Sequence, residues 1–157
     1  MTYGAAAYAI AGYNSGEISA VDRWTEHAGW EAVASYPRAS HRMCAVADEG
    51  HDKIYGLGGV NNRYAAYEYT VSTDKWSAMS HDSSLYRSFY DGGCAIIHNR
   101  NSGNRRIILA GAHSSYTQYF DLTAKGSWKS LGSATSVNSM KLVSLNSYEA
   151  YQVSESA

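Results

Sequence analysis

The sequence predicts an all-β chain assembled from about three copies of one small antiparallel sheet, and three observations carry that expectation. Segments such as AVDRW (20–24), AYEYT (66–70) and TQYFDL (117–122) switch faces at every residue. No 3.6-residue apolar stripe lasts for the length of a helix. Fourteen tyrosines, four tryptophans and 14 glycines stand against two phenylalanines and one proline, a balance that suits short, half-buried strands joined by tight turns. The third observation is a set of markers that recurs at a period near 50 residues.

The markers are clearest in IYGLGGVNNRYAAYEYTVSTDKW (54–76), where an apolar strand ends in Gly58-Gly59, crosses a polar turn and reaches Tyr69 and Trp76. YAIAGYNSGEISAVDRWTEHAGW (8–30) repeats this order with Ala11-Gly12, Trp24 and Trp30, and IILAGAHSSYTQYFDLTAKGSW (107–128) with Ala110-Gly111, Phe120 and Trp128. Gly12, Gly59 and Gly111 are spaced by 47 and 52 residues, and Trp30, Trp76 and Trp128 by 46 and 52. Two markers that drift together define one repeat.

The links repeat as well. Arginines precede a Cys-Ala-apolar strand in both PRASHRMCAVADEGHDK and LYRSFYDGGCAIIHNRNSGNRR, so Cys44 and Cys94 occupy equivalent positions. They could pair, but two cysteines do not make a disulfide scaffold, and both are expected to be small buried residues. Turn chemistry punctuates each unit at Asn14-Ser15-Gly16, Asn61-Asn62, Asp91-Gly92-Gly93 and Asn101-Ser102-Gly103. Four short strands per repeat of this length describe a β-propeller blade. A single domain over 1–157 is expected, with blades at about 3–37, 38–86 and 87–136. Residues 137–157 then form a weak fourth-repeat start or a closing strand.

Over residues 3–145 these segments resemble kelch repeats, whose pattern is a strand ending in a glycine pair, then an aromatic six or so residues before a tryptophan. The chain departs where two glycine pairs are Ala-Gly, and the aromatic-to-tryptophan spacing runs 6, 7 and 8 (24 to 30, 69 to 76, 120 to 128). The resemblance implies stacked four-stranded blades in which Gly12, Gly58, Gly59 and Gly111, with the three aromatic pairs, are scaffold. Propellers close with 4 to 8 blades, and kelch propellers usually with about six. Three blades therefore imply a fragment of a longer product, a homodimer completing a six-bladed ring, or an open arc. The start at Met1, already inside a blade, favours the fragment.

Several chemistries are disfavoured. The 13 basic and 14 acidic residues give no bulk field for nucleic acid or a membrane surface. GLGG (56–59) lacks the third glycine of a dinucleotide fingerprint, since Asn61 stands there, and it ends a strand instead of opening a helix. No Walker, HExxH, GxSxG or Cys-x-x-Cys motif is present. The six histidines fall singly, so no catalytic residue, metal or cofactor is expected. The basic hairpin NRNSGNRR (99–106) is expected to solubilise the end opposite the binding loops. No apolar run approaches a membrane span, and no Lys or Arg precedes the first apolar stretch as in a secretory signal. An intracellular, cytoplasmic protein is expected, with an extracellular one left open.

Kelch propellers usually dock partners on one loop face, and the resemblance implies a protein-interaction module there, an adaptor or substrate-recognition piece. The loops after the glycine markers offer Asn61, Asn62, Arg63 and Tyr64, then His113 and Tyr116. Those entering the next blade offer Arg38, His41 and Arg42, then Tyr86 and Arg87. Arg and Tyr anchor interfaces, and arginines suit an acidic peptide. Two rivals are a galactose-oxidase-like or glycan-binding extracellular propeller and a degenerate fragment without a function of its own.

Overall fold

A computed structural model describes residues 5–48, 50–79, 85–98, 100–111, 116–133, 140–146 and 149–154. All regular structure in them is β apart from one 3-10 turn at Val71–Thr73. Strands β1 (Ala6–Tyr13), β2 (Glu17–Thr25) and β3 (Gly29–Val33) form a three-stranded sheet in that order. Four strands follow as a second sheet: β4 (Cys44–Asp48), β5 (Lys53–Leu57), β6 (Ala66–Thr70) and β7 (Lys75–Ala78). The third repeats this order with β8 (Gly93–His98), β9 (Arg105–Ala110), β10 (Tyr116–Asp121) and β11 (Lys129–Ser133). Finally β12 (Met140–Asn146) and β13 (Glu149–Ser154) pair with each other, and β12 runs beside β8.

Every neighbouring pair is antiparallel, because each connection within a sheet is a short turn. The repeat is visible in the register. Cys44 pairs with Leu57 and Cys94 with Leu109, while Trp24 pairs with Trp30 and Tyr69 with Trp76. Thus β4 and β8 are equivalent strands of neighbouring sheets, as are β5 and β9.

The core lies between the second and third sheets. Leu57, Phe89, Ile107 and Leu109 are buried there together with Tyr55, Phe120 and Trp128. The first and second sheets join differently. The Trp76 indole N–H donates to Ala34 O at 2.9 Å, and Asp74 Oδ1 accepts from the Ala34 amide at 2.8 Å and from Tyr69 Oη at 2.8 Å. The Ala34 amide bond, with the Tyr69 hydroxyl, holds the Asp74 carboxyl below its ordinary range. One tryptophan therefore fills space between sheets and also locks the neighbouring backbone.

Two expectations are corrected. Cys44 and Cys94 are not merely small buried residues: they form a disulfide between β4 and β8, with Cα atoms 5.9 Å apart. Equivalent positions on neighbouring sheets face each other, and these strands converge well inside the roughly 10 Å spacing of stacked sheets. Nor does the basic hairpin merely solubilise. Arg105 pairs with buried Asp48 of the second sheet, Arg106 Nε lies 3.4 Å from Asp121 Oδ2, and Arg100 reaches Glu149 at 3.3 Å. The strand registers do place this hairpin at the end opposite the loops that follow β5 and β9.

The aromatic markers divide. Tyr69, Phe120 and Trp128 are buried, and the Phe120 and Trp128 rings lie 5.5 Å apart. Trp24 and Trp30, expected to be equivalent scaffold, are 38% and 61% exposed. They stand opposite each other in the β2–β3 register.

Candidate functional site

The strands end in two kinds of loop at one edge of the sheets. Residues 58–65 follow β5, while 34–43 and 85–92 lead into β4 and β8. Backbone hydrogen bonds join them into one surface. Gly12 N donates to Ser40 O at 2.9 Å, Val60 N to His41 O at 3.0 Å, Gly59 N to Phe89 O at 2.9 Å and Phe89 N to Arg63 O at 2.7 Å. These loops place their polar backbone groups on one another, as chain that lacks a ladder partner must.

The glycine markers make this wiring possible. Gly58 and Gly59 have φ of +66° and +105°, where side chains are strained. A Cβ on Gly58 would overlap the Phe89 carbonyl, and one on Gly59 would overlap Ser40 Oγ. In the first repeat Ala11 and Gly12 take the corresponding steps at +54° and +144°, at a bulge in the β1–β2 register. The third repeat departs, because Ala110 stays in β9 and pairs with both Gly93 and Thr117.

On this frame Arg38, Asn61, Asn62, Arg63, Tyr64, Ala65 and Tyr67 line a recess of about 280 Å³. Five of these seven are residues that the sequence nominates from two separate loops. Arg63 is held by Nε donation to Val60 O at 3.2 Å, and its guanidinium lies 4.5 Å from the centre of the Tyr90 ring. Among the described residues neither Arg38 nor Arg63 has a carboxylate at ion-pair distance. The recess is thus a concave, partly aromatic surface with two arginines that no described carboxylate pairs.

The remaining nominated residues extend from it on either side. Arg87 also lacks a carboxylate partner among the described residues and sits between Tyr116 and Tyr86, 4.8 and 5.2 Å from their ring centres. Arg42 is 3.6 Å from Asp91 Oδ2, so its charge is partly answered within the loops. His41 Nδ1 lies 3.3 Å from Glu17 Oε1 and its ring packs 5.3 Å from Tyr13. Asn61 donates to the other Glu17 oxygen. Asn62 is buried and donates to Ala39 O at 3.3 Å, so it shapes the recess more than it presents a contact. His113 lies outside the described residues.

Sequence reasoning missed Gln118. It is 2% exposed, accepts from the Arg87 amide and donates to Arg87 O, both at 3.1 Å, and so sets the position of that arginine. A polar residue among the inward positions of β10 was the available signal, since buried amides must find partners. Glu17, which accepts from Asn61 and lies beside His41, carried no comparable mark. Among the described residues no three His, Cys, Asp or Glu gather as a metal site, and no helix is long and apolar enough to cross a membrane. The disulfide consumes both cysteines, leaving no thiol for the Cys–Tyr crosslink of a galactose-oxidase-type site. No family model and no curated protein matches the chain.

Proposed function

We propose that the chain is part of a kelch-type propeller acting as a non-enzymatic protein-interaction module, and that its loop edge binds an acidic segment of a partner protein. The recess lined by Arg38 and Arg63 carries this reading. It is a pre-formed concavity whose cations have no internal carboxylate among the described residues, and Arg87 extends the positive surface beside two exposed tyrosines. Guanidinium groups bind carboxylates through two parallel hydrogen bonds, and tyrosines supply rigid contact area at small entropic cost. The propeller reading draws on two equal four-stranded sheets whose inner strands run side by side, with a further hairpin beside β8.

The test is binding of fluorescent glutamate-rich and lysine-rich peptides of equal length, measured by anisotropy against salt. The acidic peptide is expected to bind with an affinity that falls as salt rises. The Arg38→Ala, Arg63→Ala, Arg87→Ala variant is expected to weaken it at least about tenfold, that is by about 1.4 kcal/mol. Equal binding of both peptides, or an unchanged affinity in a folded variant, would overturn the reading.

A further inference from the structure

The Cys44–Cys94 bond stands where the two loops leading into β4 and β8 meet those strands. Cys44 is the first residue of β4 and Cys94 the second of β8. Beside it, the Asp91 amide donates to Arg42 O at 2.9 Å. The Gly59 and Val60 amides reach the same two loops at Phe89 O and His41 O. One covalent bond and a few backbone hydrogen bonds thus fix how the loop bearing Arg38, His41 and Arg42 sits against the loop bearing Tyr86 and Arg87. At the far end of the same strands the join is the Arg105–Asp48 ion pair, which a reductant leaves intact.

The two sulfurs are not equivalent. Cys94 is 7% exposed, whereas Cys44 is only partly buried, at the rim of the core. Of the two residues, Cys44 leaves the more surface to solvent.

We propose that Cys44 is a thiol-exchange site, taking small thiols of the glutathione class, through which the loop edge is clamped or released. The attacking thiolate bonds to Cys44 Sγ, the Cys44–Cys94 bond breaks, and Cys94 leaves as a thiolate that takes a proton. A second thiol then attacks the mixed disulfide at the small-thiol sulfur, releasing the oxidised thiol and a Cys44 thiolate that is protonated in turn. Two thiols lose two electrons and the protein disulfide gains them. Disulfides persist in oxidising compartments and are transient in reducing ones, so the clamp reports the redox poise around the protein. The consequence is local, because the ion pair and the core between the two sheets remain.

The experiment exposes the folded chain to graded ratios of reduced to oxidised glutathione. Peptide mass mapping locates the adduct, and amide hydrogen exchange is followed residue by residue, with Cys44→Ser/Cys94→Ser as a permanently open form. The expected adduct is on Cys44. Exchange at Asp91, Gly59 and Val60 is expected to quicken by about tenfold while Tyr55 and Ile108 stay protected. An adduct on Cys94, reduction only after denaturation, or unchanged exchange at Asp91 would overturn the proposal. So would loss of protection across the core, or an open form that fails to fold, because the bond would then be a structural staple. None of these readouts depends on which partner the loops bind.

Discussion

Arg105 Nη1 donates to Asp48 Oδ2 across the junction of the second and third sheets, although the two residues are 57 positions apart. Asp48 ends β4 and is 5% exposed, while Arg105 begins β9. His51 Nδ1, 3.2 Å from the other Asp48 oxygen, is half exposed and adds a contact at the rim. The pair sits at the end of β4 opposite the Cys44–Cys94 bond, so the two sheets are tied at both ends.

Removing the arginine should therefore be costly. Arg105→Ala leaves a buried carboxylate without its cation, a change worth about 3–5 kcal/mol in comparable sites. Urea unfolding should show a lowered midpoint of that order, and Asp48→Asn should cost less because the cation it leaves unpaired, on Arg105, is the more exposed partner. Equal stability of Arg105→Ala and the parent chain would show that the pair contributes nothing net.

The glycine steps predict an ordered series. Gly59→Ala should destabilise by about 2 kcal/mol or more, since it combines a positive φ with overlap of Ser40 Oγ. Gly103→Ala has φ +69° but open space, so only the conformational cost of about 1 kcal/mol applies. Ala11→Gly should be neutral or stabilising by up to about 1 kcal/mol, because Ala11 already occupies the left-handed region. Thermal unfolding of the three variants checks the order.

Asp74 predicts an acid-sensitive joint. Its carboxyl is held low by the Ala34 amide and then by Tyr69, so its folded value lies below its unfolded one. A depressed carboxylate stabilises the fold at pH values above its unfolded value, near 4, and that contribution is lost as pH falls through the folded value. Denaturation at pH 7 and along a descending series below pH 4 should show the parent losing stability that Asp74→Asn lacks from the outset. Parallel pH profiles for the two proteins would sink the assignment.

Gln118 predicts a split between stability and partner binding. Gln118→Leu strands the Arg87 amide and carbonyl, at about 1–3 kcal/mol for unmade buried hydrogen bonds. Affinity for the acidic peptide should fall as Arg87 loses its fixed position. Anisotropy and urea titration on the same samples separate the two effects.

The strand plan was legible in the residues because side-chain alternation and turn chemistry are local properties of the chain. AYEYT coincides with β6, and TQYFDL overlaps all but the first residue of β10. The nominated loops were legible for the same reason: a glycine-ended strand followed by a polar turn can only present that turn at a strand end. Arg38 and the residues from Asn61 to Tyr64, from two different loops, do share one recess.

Other features lay beyond local pattern. Trp24 and Trp30 carry the same marker as Tyr69 and Trp76, yet they are exposed, because burial depends on what stacks against a sheet. The equivalence of Cys44 and Cys94 was readable, but only the convergence of β4 and β8 turned equivalent positions into bonded ones. Likewise Arg105 read as a solvated charge until the neighbouring sheet brought Asp48 to it. Periodicity and turns by themselves determined an all-β chain of repeated antiparallel units with arginine-bearing loops at one edge. Which cysteines bond, which charges are answered and which aromatics are buried was decided by tertiary structure, since each depends on a neighbour some 50 residues away that no local pattern can place.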